Sequence, residues 1–485
     1  MTEAAEPRRI RFGRRSTRGV LLGLSRARVV AVVLAFGVVL AAVYLRGFRG
    51  VTVTAPVWGL LVAAAFVPVA GRPVADWLPV TGHWLWRRVR GQNVYGVRPL
   101  APRPAGTLAL PGDGAPVRVH EDPISGAAML HDPHAHRLTA ALRVAHPAFI
   151  MLGDAEQSNR VDGWGRVLAR LCQAGLVARV QVMERAIPDS GHGVSSWWSE
   201  HGRDDDSWAA RSYAELVRDA GPAGERHDTI LAVSLDMHRA ARDIRREGGG
   251  LRGAAAVLRG QMRGFEEAVT GAGLASSGWL DAAELAVLIR AAYDPGASSG
   301  LDRLGHGRDL GTAGPMGVVE EWDHLRSDGA WHAVLWISEW PRAEVYPTFL
   351  HPLVVGLSGV RRTVSLVAQP LGTREALRDI RRERVEHQTD EAQRQKLGQI
   401  SDFGKLQEWH DTEQREAELV AGHGDLRFTG FVAVSAATLD ELHAHVARVE
   451  LAASQCGCET RLLYGQQSQA FLAAALPLAR GLGRR

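Results

Sequence analysis

The sequence predicts a membrane-anchored α/β (α+β) protein. Two transmembrane helices come first, then a cytoplasmic body of ferredoxin-like split βαβ modules with a protruding helical arm. Three observations carry this. Two long uncharged runs stand near the N-terminus, basic residues cluster outside them, and the remaining chain repeats the order strand, helix, strand.

The first run, Val29 to Leu45, is VVAVVLAFGVVLAAVYL; the second, Val51 to Ala70, is VTVTAPVWGLLVAAAFVPVA. At 1.5 Å per residue each reaches roughly 25–30 Å, about one hydrocarbon core. Pro56 and Pro68 fall near the ends of the second run, where a helix tolerates proline best. A signal peptide also places basic residues before an apolar run. Here a second run follows at once, with no small-residue cleavage site between them. Arg8, Arg9, Arg11, Arg14, Arg15, Arg18, Arg26 and Arg28 precede the first run, and Arg72, Arg87, Arg88, Arg90, Arg98 and Arg103 follow the second. The loop between carries only Arg46 and Arg49. The positive-inside rule then puts both termini in the cytoplasm. Trp77, Trp84 and Trp86, beside Arg87 and Arg88, suit a stretch lying on anionic membrane lipid.

These features divide the chain of 485 residues into five segments. Residues 1–28 are a basic cytoplasmic N-terminus, 29–70 a transmembrane hairpin, and 71–116 an interfacial segment ending in a linker rich in Pro, Gly and Ala. Residues 117–317 form a first cytoplasmic α/β domain. Residues 318–485 form a split βαβ domain with a helical arm at 373–420.

Composition narrows the chemistry. A charged fraction of 23% is that of a folded protein. Cys172, Cys456 and Cys458 are too few for a disulfide framework or a four-cysteine zinc site. The net charge is +4, and lysine occurs only at Lys396 and Lys405. The arginine excess fits a chain encoded by GC-rich DNA, so it is a weak sign of nucleic-acid binding. Any step that needs a lysine must use one of those two.

In the body, Val117–Val119, Ala127–Leu130 and Leu138–Val144 read as strands. Ala155–Ala174 has helical spacing and Leu176–Met183 alternates like a strand. Ser190–Asp206 reads as a polar loop holding Trp197 and Trp198, and Ser207–Ala220 as a helix. Asp228–Leu235 is a strand. Met237–Glu247, Leu251–Thr270 and Asp281–Tyr293 are helices, and Asp294–Gly317 is a mobile connection. Strand Trp331–Trp340, a short helix at Pro347–Gly356 and strand Arg362–Gln369 then precede the polar helical arm. Strand Leu426–Ser435, an amphipathic helix at Leu439–Ala453, strand Thr460–Tyr464 and a helix at Gln467–Leu476 complete the split βαβ order.

Four groups of residues invite a chemical reading. A phosphate loop needs four residues between its glycines, then Lys-Ser/Thr; five separate Gly398 from Gly404, and Leu406 follows Lys405. Lys396 has no glycine-rich context. His131, Asp132, His134 and His136 have metal-ligand residue types, but Asp132-Pro133 favours a turn. Asp204, Asp205 and Asp206 read as a solvated loop capping the next helix, and Cys456 and Cys458 as passive thiols. The arm from Arg374 to Arg415 mixes both signs of charge. That favours ion-paired helix and protein docking over contact with nucleic acid. No catalytic, cofactor-binding or metal-ligating residue is assigned, and no cofactor is expected.

The last third resembles the N-terminal, non-motor domain of type IV secretion and conjugation ATPases of the TraC/TrbE/CagE class. The resemblance is carried by WHAVLWISEWPR at Trp331–Arg342, HPL at His351–Leu353 and RRTVSLVAQPLG at Arg361–Gly372. It continues through the charged arm, FTGFVAVSAATLDELHAHVARVE at Phe428–Glu450 and QQSQAFLAAALPLARG at Gln466–Gly481. The whole chain also resembles an actinobacterial family of integral membrane proteins encoded beside secretion-like ATPases. The resemblance implies a non-enzymatic membrane platform that docks a motor ATPase on a separate chain within a large assembly. One alternative is a type VII secretion core component of the EccE sort, which also pairs two N-terminal helices with a cytoplasmic domain. Another is a membrane-bound enzyme acting around His131–His136.

Overall fold

The computed structural model describes residues 9, 10, 12, 25–69, 71–98, 104–145, 149–189, 192–202, 207–220, 225–297, 300, 310–396 and 413–481. They form two compact units, one from 13–94 with 464–466 and one from the rest.

In the smaller unit, α1 (Arg26–Val53) opens at Ser25, whose hydroxyl accepts from the Arg28 amide at 3.3 Å. Its helical geometry breaks at Gly47, which takes φ +58°. A Cβ built on Gly50 would lie 2.4 Å from the Ala42 carbonyl oxygen. Residues eight apart on a straight helix are about 12 Å apart, so α1 is sharply kinked at Gly47. It then runs through Thr54 into α2 (Ala55–Phe66), and Ala31 packs with Ala65 and Ala75. Thr54 interrupts the helix because Pro56 has no amide to offer the preceding turn.

The second predicted span is therefore shorter than its apolar run. Among the described residues one helix, Ala27–Val53, is long and apolar enough to cross a membrane, while Ala55–Phe66 is shorter. Pro68 holds Val67 extended, with ψ 119°, and Pro68–Val69 (β1) pairs with Arg72–Pro73 (β2). An amphipathic helix, α3 (Val74–Val89), follows; its Asp76 accepts from Arg28 Nε at 3.0 Å and from the Ser25 hydroxyl.

The larger unit is mixed α/β, built on one thirteen-stranded antiparallel sheet. Its strands show the same order twice. The first copy is β4 (Arg118–Glu121), β5 (Ala128–Asp132), β6 (Arg137–Ala145), α4 (Asp154–Ala174) and β7 (Val177–Pro188). After the helices α5 (His192–His201) and α6 (Trp208–Ala220) come β8 (Glu225–Asp236), α7 (Ala241–Arg246), α8 (Gly250–Gly271), β9 (Ala275–Trp279) and α9 (Ala282–Tyr293). The second copy is β10 (Gly317–Glu320), β11 (Leu325–Ser327), β12 (Ala330–Glu339), α10 (His351–Val354) and β13 (Arg361–Leu371). Then follow α11 (Thr373–Lys396), a helix at 413–420 termed α12, β14 (Asp425–Ala436), α13 (Leu439–Gln455), β15 (Glu459–Leu462) and α14 (Gln467–Ala474). The short strand β3 (Val94–Gly96) is an outer neighbour of β10.

Within each copy the pairing is β9-β6-β8-β7 and β15-β12-β14-β13, the order of a split βαβ unit. In each, a preceding hairpin strand shares the first strand's outer edge with the last strand: β5 with β9 on β6, β11 with β15 on β12. The copies join through β7 and β13, with Ser365 opposite Met183. The sheet is thus continuous across the expected 317/318 boundary. Because β7 and β13 run antiparallel, the insertions that follow them (189–224 and 372–424) leave the sheet at opposite ends.

Alternation decides the two faces. On β8, Leu231 and Val233 pack under α4 and α8, while Ile230 and Ala232 face the opposite layer. On β14, Val432 and Val434 meet α10 and α13, while Phe431 and Ala433 face the opposite layer. That second layer is α9, α14 and the tail through Leu478, so both faces are covered. The final apolar segment, Phe471–Leu478, is covered by the chain's own sheet. Gln181 anchors it: its amide donates to Ala473 O at 3.0 Å and Leu476 O at 3.1 Å, and its oxygen accepts from Ala479 N at 2.7 Å.

Candidate membrane and docking surfaces

The residues singled out for chemistry are placed as follows. Asp132 accepts from the amides of His134 and Ala135, both at 3.2 Å, and from Arg480 Nε at 2.8 Å. It is a turn residue that also ties down the tail. His131 is pushed below its usual range by burial. His136 instead packs at a tilt against His238, with ring centres 4.2 Å apart. Among the described residues no group of three or more His, Cys, Asp or Glu is set to hold a metal. Cys456 and Cys458 are buried in the second copy's core, and burial pushes the Cys458 thiol up to about 12. Asp204–Asp206 and the stretch from Gly398 to Leu406, with Lys405, lie outside the described residues. Lys396 is the last residue of α11.

Two buried polar groups that sequence reading missed hold the second copy together. The Arg362 guanidinium donates to Leu353 O at 3.0 Å, Val354 O at 2.6 Å, Leu357 O at 2.6 Å and Val360 O at 2.8 Å. These carbonyls end α10 and the turn after it, where a cation is favoured. Burial pushes the guanidinium below its ordinary range, and Glu225 at 3.6 Å opposes that. His332 is fully buried between Ser327 Oγ at 2.6 Å and Ser435 Oγ at 2.8 Å, and burial pushes it down to about 4. Both ring nitrogens are occupied, so this serine–histidine contact is part of the core.

Three surfaces remain. The first is the Trp- and Arg-rich helix α3, where Arg88 lies over Trp84 at 4.9 Å and Arg90 over Trp86 at 3.9 Å. This arrangement suits the headgroup region of a bilayer. The second is the arm. Its base is packed through Leu371, Ala376, Ile380 and Leu419, and Arg384–Glu416 and Arg415–Asp425 pair at 2.6 Å each. The third is the α5–α6 insertion, where a helix at His192–His201 stands in place of the expected polar loop. Val194, Trp197, Trp208, Tyr213 and Leu216 are exposed there, and Trp198 packs on Tyr213. The missed signal in α5 is the spacing Val194, Trp197, Trp198, His201, which is one helical face.

The stretch before α1 also meets the body. Ile10 N donates to Val345 O at 2.8 Å and Val345 N to Ile10 O at 2.9 Å. Phe12 stacks on Trp340 with ring centres 5.1 Å apart.

Residues 223–337 match the family model described as EccE, a putative type VII ESX secretion system translocon. Over that stretch this chain is similar to EccE. The match runs from β8 to β12, across the junction of the two copies. Among curated proteins none matches the chain. The EccE match overturns the type IV ATPase resemblance: the secretion family this chain resembles over that stretch is of type VII. The type IV reading rested on segment order: β-α-β, a charged arm, then β-α-β. Any split βαβ unit with an insertion after its second strand has that order, and this chain contains two. The terminal segment likened to a passage into a motor is buried and held by Gln181.

Proposed function

We propose that the chain is a non-enzymatic membrane component of a type VII secretion translocon, anchored by its N-terminal hairpin. The family match over residues 223–337 carries this reading. The kink at Gly47 and the packing of Ala31 with Ala65 support two crossings. So does parity. Ile10 and Phe12 precede the apolar helix but touch the body that follows it. A chain that crossed once would hold them on opposite sides. The arginines that flank the hairpin favour the cytoplasm for both ends. In a multi-subunit assembly, the arm at 373–420 offers mixed charge for docking a separate chain, a motor among them.

The test is genetic and topological. Deleting the gene should stop export of type VII substrates, and the full-length chain should restore it. Unchanged export would contradict the reading. Thiol labelling of Ser16→Cys and Glu121→Cys should occur from the cytoplasmic side for both, and labelling from opposite sides would rule out the hairpin.

A further inference from the structure

Between Thr2 and Gly19 the only large apolar residues are Ile10 and Phe12, set alternately in a run of arginines. Alternation puts both on one side of an extended segment. The structure gives each a seat on the second copy. Ile10 and Val345 exchange both backbone hydrogen bonds, at 2.8 and 2.9 Å, which makes a closely bonded antiparallel pair. Phe12 enters a cluster of three rings, with centres 5.1 Å from Trp340, 5.3 Å from Phe349 and 6.0 Å from Phe428. Trp340 meets Phe428 edge-on at 5.4 Å, so the seat is partly formed by the body's own residues. Arg9 lies over the Tyr346 ring at 5.8 Å, at the rim. The seat belongs to the connection between β12 and α10 and to the start of β14. It lies in neither insertion.

We propose that Arg9, Ile10 and Phe12 form a clasp that fastens the N-terminal tail to the second copy and gives the body a second attachment to the chain leading into its membrane segment. The first attachment is chain continuity at Val97, whose amide donates to Met316 O at 2.9 Å. The clasp rests on the same-side topology proposed above, and it adds a defined contact that topology alone does not require.

A cysteine pair tests it in the full-length protein in native membranes. A closely bonded antiparallel pair has Cα atoms about 5.5 Å apart, within the range a disulfide spans. The native cysteines are buried, so the background is low. Ile10→Cys with Val345→Cys should close an intramolecular disulfide under mild oxidant. The rate should exceed by about tenfold or more that of Ile10→Cys with Val420→Cys, Val420 being exposed at the arm's base. Adding Phe12→Ala should slow closure about tenfold or more, since the ring's burial holds the tail in place. Equal rates for the two pairs, indifference to Phe12→Ala, or a disulfide between two chains would overturn the clasp. Labelling Ser16→Cys and Glu121→Cys from each side separates the two ideas. Opposite sides would remove the topology itself, whereas same-side labelling without closure would remove the clasp alone.

Discussion

The two copies of the body share a strand order but hold it by different means. In the first, the helix between the first two strands is α4, 21 residues long, and it buries Val167 and Leu171 against β7 and β8. In the second the equivalent helix, α10, has 4 residues. There the apolar contact is shorter, through Leu353 and Leu357, and Arg362 adds to it, its guanidinium gathering four carbonyls at the end of α10 and the turn after it. Dispersion and area burial tolerate substitution by degrees. A buried cation shared by four acceptors does not, because its removal takes a charged donor from all of them at once.

This contrast can be broken by substitution. Arg362→Met should cost about 4 kcal/mol in the unfolding of the full-length chain in detergent, read from the denaturant midpoint. Arg160→Met on α4, whose guanidinium is at the surface, should cost under about 1 kcal/mol. Comparable losses would mean that the two copies are held alike.

Acid should sharpen the same contrast. His332 is kept neutral by burial, down to about 4, while an unfolded histidine titrates near about 6.5. Below that unfolded value the unfolded chain binds a proton that the folded chain excludes. Its contribution is therefore full above about pH 6.5 and is lost as pH falls toward 4, by up to about 1.4 kcal/mol per pH unit. His332→Gln should flatten this limb of the stability–pH curve. An unchanged limb would assign the acid sensitivity elsewhere.

Gln181 lies on β7, where the copies meet, and its loss should be smaller. Gln181→Leu should cost about 2 kcal/mol and expose residues 473–481 to carboxypeptidase, followed by mass spectrometry. Persistent protection would mean that apolar contacts alone hold the tail. Smallest of all, Trp208→Ser on the exposed insertion should shift stability by no more than about 0.5 kcal/mol. A larger loss would show that α6 is part of the core.

How much of this was legible follows from what each segment is made of. The long buried strands β8, β12, β13 and β14 announce themselves by apolar runs or alternation, and α4, α8 and α13 by helical spacing. Split βαβ modules were expected, but the strand-for-strand match of the two copies was not legible, because the strands that reveal it are β9, β10 and β11. They are short, and β9 reads ASSGW, with no apolar alternation. The second apolar run promised a full-length span, yet Pro56 and Pro68 shortened its helix from both ends. Arg362 looked like one arginine among many. Its role depends on carbonyls of Leu353, Val354, Leu357 and Val360, which carry no side-chain signal. The membrane and secretion assignments were within reach, but the type IV family was not the right one. Segment order alone cannot separate families that share a split βαβ unit.

The central claim, membership of a type VII translocon, is tested most directly by purifying the tagged full-length chain from its native membrane in mild detergent and identifying what accompanies it. The account predicts one large complex containing this chain together with the other membrane subunits of a type VII secretion system. Recovery of the chain by itself, or with the motor and pore proteins of a conjugative type IV machine, would contradict it.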